Sequence, residues 1–475
     1  MAEIRLFNNL GDFGDSPALV DDTDKQLSFS QLLEFSVGLE DTIGTRRLVF
    51  CLCSNQLASI AGYVAMQAAG QVCLMLNAGI DQDKLVRLME AFHPNYVWAP
   101  RDTNCPFEPT DLFEIDDYSL FRVSANEVEL HPELALLLPT SGSTGSPNMV
   151  RQSSFNLVSN ASSISESLRL TREDSALTTL PMNYTYGLSI VNSQLHIGGR
   201  VFVSDLSVVD RRFLEVVSTS GVTYFGGVPY TYELLSRIGI SKFEGSSLRM
   251  LTQAGGRLKP ELVQSVSAEC RKLNIDFYVM YGQTEATARM SVLSPEDALE
   301  VPSSIGRPIP GGSFRLLEPD TEHVVPENSV GELEYSGPNV TMGYATTWAD
   351  LVRGDEREGR LRTGDLARRD EQGRYYIVGR KKRFIKLFGH RVSLDDVEQH
   401  LVELGHEAVC TGEDDLLIVH VVGENALKEI AADTARFVGT NQRYVLIRSI
   451  NEIPRSESGK ILYSSLPSKR REIEQ

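Results

Sequence analysis

The sequence predicts an α/β protein with a large N-terminal domain of parallel-rich sheets and flanking helices, an added β-rich subdomain, and a small α+β C-terminal domain. Three observations carry this. Short aliphatic runs alternate with helix-periodic segments from residue 48 to about residue 280, the alternation that parallel sheets with crossover helices require. From about residue 305 the pattern changes to brief strands with turn residues every few positions. A basic run, Gly379-Arg380-Lys381-Lys382-Arg383, then precedes a final stretch of roughly 90 residues, enough for one compact module. The expected boundaries are 1–379 for the N-terminal domain, 380–384 for a hinge and 385–475 for the C-terminal domain.

The elements follow in order. Residues 48–53 read as a strand, 57–69 as a helix, 72–76 as a strand, 84–92 as an amphipathic helix and 96–99 as a short strand. Residues 154–170 place Phe155, Val158, Ala161, Ile164 and Leu168 at helical spacing, with Ser153 or Ser154 as the N-cap. Strand and helix segments then alternate at 176–180, 200–204, 222–225, 230–238 and 248–252, a helix opens at Pro260, and 276–280 follows. Residues 331–335 and 375–378 are strands of the β-rich part. In parallel sheets, functional loops gather at the carboxyl ends of strands. Gln253-Ala254-Gly255-Gly256 and Tyr281-Gly282-Gln283-Thr284-Glu285 occupy such ends.

Composition narrows the function. With 475 residues and 41% hydrophobic content the chain can bury large cores. A net charge of −18 argues against nucleic acid as a main partner, since phosphate-backbone binding needs a basic face. The six cysteines form no C-x-x-C pair and no zinc spacing, so reduced core thiols of a cytoplasmic protein are expected. The first twenty residues lack the basic start and apolar core of a signal peptide, and no apolar run reaches the ~18 residues of a membrane span.

The most informative stretch is ALLLPTSGSTGSPNMV, residues 135–150, an aliphatic strand running into a loop in which residues 140–146 are all Ser, Thr or Gly. Glycines let successive backbone N–H groups converge, and small hydroxyls add neutral donors, which suits a polyphosphate. A flexible linker has the same composition. The Walker phosphate loop is excluded because its G-x-x-x-x-G-K spacing is missing.

Five motifs in order give the chain a family resemblance: Ser141-Gly142-Ser143-Thr144-Gly145-Ser146-Pro147; Tyr281-Gly282-Gln283-Thr284-Glu285; Arg362-Thr363-Gly364-Asp365; Gly379-Arg380-Lys381-Lys382 continuing to Gly389; and Pro454-Arg455-Ser456-Glu457-Ser458-Gly459-Lys460. Over nearly its whole length the chain resembles the adenylate-forming superfamily of acyl-CoA synthetases, peptide-synthetase adenylation domains and luciferase. The resemblance implies ATP-dependent activation of a carboxylic acid as an acyl-adenylate, then transfer to a phosphopantetheine thiol of coenzyme A or a carrier protein, with ATP and Mg2+ as cofactors. It implies that Thr140, Ser141, Gly142, Ser143, Thr144 and Gly145 hold the β and γ phosphates. Glu285 becomes the metal ligand, a hard oxygen donor suited to magnesium, while Thr284 contacts the α-phosphate. Asp365 takes the ribose hydroxyls, Arg380 the ribose or phosphate side, and Tyr281, Gly282, Gln283, Ala254, Gly255 and Gly256 approach the nucleotide. Lys460, on a mobile C-terminal lobe, bridges substrate carboxylate and α-phosphate; Lys382 is the hinge and Gly389 nears the pantetheine arm.

Two departures matter. Members usually carry Lys after the loop proline, where this chain has Asn148, so pyrophosphate stabilisation weakens or passes to Arg151. Amino-acid-activating members place an aspartate where Tyr184 stands, so an acid without an α-amino group is expected, a buried unpaired ammonium being costly. Asn183, Tyr184, Tyr186, Gly227, Val228 and Tyr230 are the expected pocket. The alternatives are a stand-alone amino-acid-activating enzyme, a luciferase-type oxidase, and a binding protein that retains ATP and acyl sites but catalyses little.

Overall fold

The computed structural model describes residues 4–103, 109–124, 128–139, 148–381, 383–387, 390–424, 427–455 and 461–469. The chain divides into two compact units, Met1–Phe314 with Tyr335–Leu361, and Arg315–Glu334 with Arg362–Gln475. Residues 315–334 and 362–379, assigned from sequence to the large domain, thus cluster with the C-terminal module.

The first unit is built on two sheets. One runs Arg307–Pro308, Ser291–Leu293, Asp276–Tyr281, Met250–Gln253, Tyr224–Gly227, Ser175–Leu177, Arg200–Val203, Pro17–Asp21, Gln26–Ser28 in space. Its centre is parallel from Asp276–Tyr281 to Pro17–Asp21, with antiparallel strands at both edges. The other runs Gly343–Ala345, Met149–Ser153, Leu134–Pro139, Val72–Asn77, Leu48–Cys53, Tyr96–Pro100, Tyr118–Arg122, Pro109–Ile115, again parallel in the centre and antiparallel outside. Every residue of Leu48–Cys53 is buried, as a continuous apolar run demands when both faces are covered.

The core explains this burial. Val49, Cys51, Cys73, Met75 and Leu136 of one sheet and Ala18, Leu19, Val201 and Val203 of the other share one apolar cluster with Ile60, Ala61, Val64, Leu188, Val191 and Leu195. The helices Leu57–Ala68 and Thr185–His196 therefore pack between the sheets, and their sequences carry almost no charge for that reason. Gly62 is required at the closest approach, because a Cβ there would enter the Trp98 ring.

Sequence reading misses several elements, among them the helices Phe29–Ile43 and Thr185–His196, and one missed strand adjoins the Ser/Thr/Gly loop. Between the Ser/Thr/Gly loop and the next helix lies a strand, Met149–Ser153, antiparallel to Leu134–Pro139 with Pro139 opposite Met149. All five of its residues are buried although three are polar. Ser153 then caps the helix Ser154–Ser167 through a reciprocal box, its hydroxyl accepting from Asn156 N at 3.1 Å while Asn156 Oδ1 accepts from Ser153 N at 2.9 Å. Phe155, expected on the apolar face of this helix, is 53% exposed.

The second unit holds most of a four-stranded sheet ordered Ser313–Leu317, Gly331–Ser336, Arg360–Arg369, Tyr375–Arg380. Its C-terminal part packs the helices Leu394–Glu403 and Leu427–Val438 on a three-stranded sheet, Ala408–Glu413, Leu416–Val422 and Val445–Ile450, through Val397, Leu401, Leu417, Val419 and Ile430. Arg383 ties the start of this module to its core, its guanidinium reaching Asp395 and Glu398, each at 2.5 Å, and lying 3.8 Å over the Tyr463 ring. Among the described residues, no helix is long and apolar enough to cross a membrane. Cys51, Cys53, Cys73, Cys270 and Cys410 are unpaired and buried, and burial pushes the Cys270 thiol up to about 12.

Candidate active site

Two parallel strands of the first unit deliver their following loops to one place. Met250–Gln253 ends in Ala254, Gly255 and Gly256, and Gln253 Nε2 donates to the carbonyls of Ala254 at 3.1 Å and Gly256 at 3.0 Å, fixing the turn from beneath. Gly255 has φ +84°, and a Cβ there would strike the Tyr184 hydroxyl, so only glycine permits this approach. The neighbouring strand Asp276–Tyr281 ends in the Tyr281 ring, 6.4 Å from that of Phe314.

Gly282 to Glu285 follow, half-buried while the residues after them are buried. Thr341 holds the Glu285 carbonyl through its amide at 3.1 Å and its hydroxyl at 2.9 Å. The Glu285 carboxylate accepts from the Tyr344 hydroxyl at 2.7 Å. Burial, and then the adjoining Glu285 charge, raise the Tyr344 phenol, so it stays a donor. Tyr344, the hydrogen-bond partner of the Glu285 carboxylate, is a residue that sequence reading missed; nothing in its neighbourhood marks it.

The expected pocket assembles around Tyr184 and Tyr186, whose rings meet edge to face at 6.4 Å. Tyr186 donates to the Thr252 carbonyl at 2.8 Å, and Tyr184, Val228 and Ala254 join it in one apolar cluster. Asn183 Oδ1 is buried with no hydrogen-bond partner among the described residues. Gly227 ends its strand against Thr231 and Tyr232. Tyr230, by contrast, stands 48% exposed at the start of the helix Pro229–Ile238, while Tyr232 is fully buried and donates to Thr252 O at 2.7 Å.

In the second unit Asp365 and Arg380 are opposite one another on paired strands, with Arg380 Nε donating to Asp365 Oδ1 at 3.0 Å. Asp365 is 2% exposed. Thr140, Ser141, Gly142, Ser143, Thr144, Gly145, Lys382, Gly389 and Lys460 lie outside the described residues.

Arg151 is not available to replace the loop lysine. It is fully buried, donating to Tyr344 O and Met342 O at 3.1 Å each, to Arg353 O, and to Glu356 at 2.7 Å. Its charge is committed to holding Met149–Ser153 against residues 342–356. Asn148, beside the loop, is exposed.

The family model described as "AMP-binding enzyme" matches residues 6–345. The chain belongs to this family. It is 28% identical to the 2-succinylbenzoate–CoA ligase of Bacillus cereus (strain Q1) over 398 residues, 81% of this chain and 79% of the relative. The corresponding ligase of Bacillus cytotoxicus is 27% identical over 435 residues, 88% of this chain and 87% of the relative. In fold, this AMP-binding enzyme is similar to o-succinylbenzoate CoA synthetase from Bacillus subtilis in complex with its acyl-adenylate, with TM-score 0.77, 21% identity and 98% of each chain covered. ATP-bound MatB from Rhodopseudomonas palustris gives TM-score 0.77 at 21% identity, again over 98% of each chain.

The enzyme is an AMP-forming acid–thiol ligase. It activates a carboxylic acid with ATP as an acyl-adenylate, releases pyrophosphate and passes the acyl group to a thiol. ATP and Mg2+ are its cofactors. The residues present fit them: Asp365 is a buried carboxylate suited to two hydroxyls, and Glu285 is a single carboxylate held by the Tyr344 hydroxyl at 2.7 Å. Among the described residues no three metal-ligating side chains cluster.

Proposed function

We propose that this enzyme activates an aliphatic or aromatic acid without an α-amino group and that coenzyme A receives the acyl group. The observation that carries the first half is the wall formed by Tyr184, Tyr186, Val228 and Ala254. Tyr184 stands where an ammonium-binding carboxylate would be needed, and its phenol, raised by burial, offers no negative charge. Support for coenzyme A comes from the relatives named as CoA ligases. The cytoplasm, where buried thiols stay reduced, suits such a reaction.

The chemistry joins two anions, so the protein has mainly to neutralise charge and align. A carboxylate oxygen of the acid attacks the α-phosphorus, and the bond to pyrophosphate breaks. Thr284 donates its hydroxyl to the α-phosphate, Asp365 holds the ribose, and the 140–145 loop supplies N–H and hydroxyl donors to the leaving pyrophosphate. Glu285 would hold Mg2+, which would supply charge neutralisation there. Lys460 spans the attacking carboxylate and the α-phosphate, where negative charge concentrates in the transition state. In the second step a thiolate attacks the acyl carbon, AMP departs, and Lys382 serves as the hinge between the two steps.

Asn148 and the committed Arg151 favour a slow first step as a second reading. Acid-dependent pyrophosphate exchange tests both, with 2-succinylbenzoate, benzoate, butyrate and a set of amino acids as substrates. Exchange with the non-amino acids supports the proposal. Exchange with amino acids alone overturns it, and saturable ATP binding with no exchange by any acid leaves a binding protein. Lys460→Ala should abolish exchange while sparing thiol attack on supplied acyl-adenylate; equal loss of both steps would remove Lys460 from the role given to it.

A further inference from the structure

A cleft of about 390 Å³ opens in the first unit, lined by Phe13, Ser16, Arg172, Glu173, Asp174 and Arg200. Its volume is in the range of small-molecule sites. Pro17, Ser175 and Arg200 are the first residues of the strands Pro17–Asp21, Ser175–Leu177 and Arg200–Val203, which run parallel to Met250–Gln253 and Asp276–Tyr281 in the same sheet. Residues 254–256 and 282–285 follow the carboxyl ends of the latter two strands. The cleft therefore sits at the opposite end of the sheet from the nucleotide loops.

The charges that line it are unevenly matched. The Asp174 carboxylate is engaged on every side, accepting from Arg249 Nε and Nη2 at 2.6 Å each, from Thr171 N at 2.8 Å and from the Thr223 hydroxyl at 2.9 Å. Glu173 is exposed, where water and salt screen its charge. The two cations have no comparable partner. Arg200 is half-buried and donates only to neutral groups, Nε to Ser175 Oγ at 3.0 Å and Nη2 to the carbonyls of Ser220 at 2.9 Å and Gly221 at 3.2 Å. Among the described residues its Nη1 has no partner and no carboxylate forms a salt bridge with it. Burial lowers the Arg200 pKa with nothing to offset the effect, but an arginine starts so high that it keeps its charge.

Arg172 makes no side-chain hydrogen bond and no salt bridge among the described residues; its guanidinium carbon lies 4.8 Å over the Phe13 ring. Phe13 is itself fixed. Its ring meets that of Phe29 at 4.8 Å, and Gly198, at φ +79°, comes so close that a Cβ there would enter the ring. The Ser16 hydroxyl, likewise unbonded among the described residues, adds a neutral donor to the same cleft.

We propose that this cleft is a second ligand site, separate from the nucleotide site, and that it takes the phosphate group of a small monoester. Two guanidiniums that no carboxylate answers call for a dianion. A phosphate monoester at pH 7 carries roughly two negative charges on three acceptor oxygens, which suits two arginines and a hydroxyl. A carboxylate brings one charge and leaves the second guanidinium unanswered. The volume exceeds that of a bare phosphate and leaves room for the esterified group against the cleft wall.

Calorimetric titration of the full chain with phenyl phosphate tests this. The native chain should bind it, and Arg172→Gln, which breaks no hydrogen bond of the fold, should weaken binding by about tenfold or more, the effect of losing one hydrogen bond to a charged group. Arg200→Gln should weaken it at least as much, with a lower melting temperature because two carbonyls lose their donor. Phenyl phosphate should raise the melting temperature of the native chain above that of Arg172→Gln, benzoate should bind both equally, and Arg172→Gln should keep the native rate of pyrophosphate exchange. Equal binding of phenyl phosphate by the native chain and Arg172→Gln puts the ligand at the nucleotide site and overturns the inference, as does no binding at all. An equal loss with benzoate overturns the preference for a dianion, and inorganic phosphate binding as tightly as phenyl phosphate overturns the monoester. Exchange lost in Arg172→Gln together with phenyl phosphate binding also overturns the second site. Exchange absent from the native chain bears on the acid-activating reading alone.

Discussion

Replacing Asp365 by Asn tests the nucleotide half of the site with little disturbance to the fold. The exchange is nearly isosteric and keeps one carbonyl acceptor. The ion pair it breaks is with Arg380, whose side chain is 61% exposed, so the stability lost there is at most about 1 kcal/mol. The bond from Asp365 N to Thr363 Oγ1, at 3.1 Å, uses the backbone and survives. What is lost is a buried anionic acceptor for the ribose. A hydrogen bond to a charged group contributes about 1.5–3 kcal/mol, and 1.4 kcal/mol is tenfold, so KM for ATP should rise by roughly 10- to 100-fold. Pyrophosphate exchange at saturating acid reads this directly, with kcat nearly unchanged because the ribose does not change between ground and transition states. Discrimination against 2′-deoxy-ATP should shrink in parallel. An unchanged KM for ATP in a protein of native melting temperature would refute the assignment, whereas Arg380→Ala with the same KM effect would shift the role to the cation.

Three further perturbations follow from packing and charge. Arg151→Met should destabilise the chain by about 3–5 kcal/mol in urea melts, because Glu356 and three carbonyls lose their donor; a loss below 1 kcal/mol would show water replacing it. Gly62→Ala should cost about 1–3 kcal/mol through its contact with the Trp98 ring, with native stability counting against the tight helix-to-sheet packing. His420 is fully buried, with Nε2 2.7 Å from Thr411 Oγ1, and burial pushes its pKa from 6.5 down to about 4, opposed by Pro467 and assisted by Arg448. Its folded value lies below its unfolded one, so the unfolded chain takes up the proton first and stability falls as pH drops from about 6.5 to about 4, by about 3 kcal/mol in all. Urea melts at pH 7, 5.5 and 4.5 should show this slope, and His420→Gln should flatten it; an equal slope in the variant would place the titration elsewhere.

The central strands were legible because both of their faces are covered: Leu48–Cys53 and Val72–Asn77 are apolar at nearly every position, as a strand buried on both faces requires. Met149–Ser153 was illegible for the converse reason. Arg151 and Gln152 read as surface residues, and only distant residues 342–356 give Arg151 partners that permit its burial. Exposure of Phe155 and Tyr230 reverses a naive periodicity in the same way. Glu285 and Asp365 were singled out because each stands in its own contiguous motif, one just after the strand Asp276–Tyr281 and the other within the strand Arg360–Arg369. Tyr344 was not: it acts on a partner brought near by the fold, and an isolated Tyr carries no local signal of what it faces.

The five described cysteines, all interior and two of them on the strand Leu48–Cys53, bear on selectivity of a different kind. A mixed anhydride such as acyl-AMP acylates whatever sulfur nucleophile reaches it first, and the reactive species is the ionised form. With Cys270 displaced to about 12 and Cys51, Cys53 and Cys410 also shifted upward by burial, these four buried side chains stay protonated. Self-labelling at these positions is thereby suppressed, and the incoming acceptor meets no rival from them.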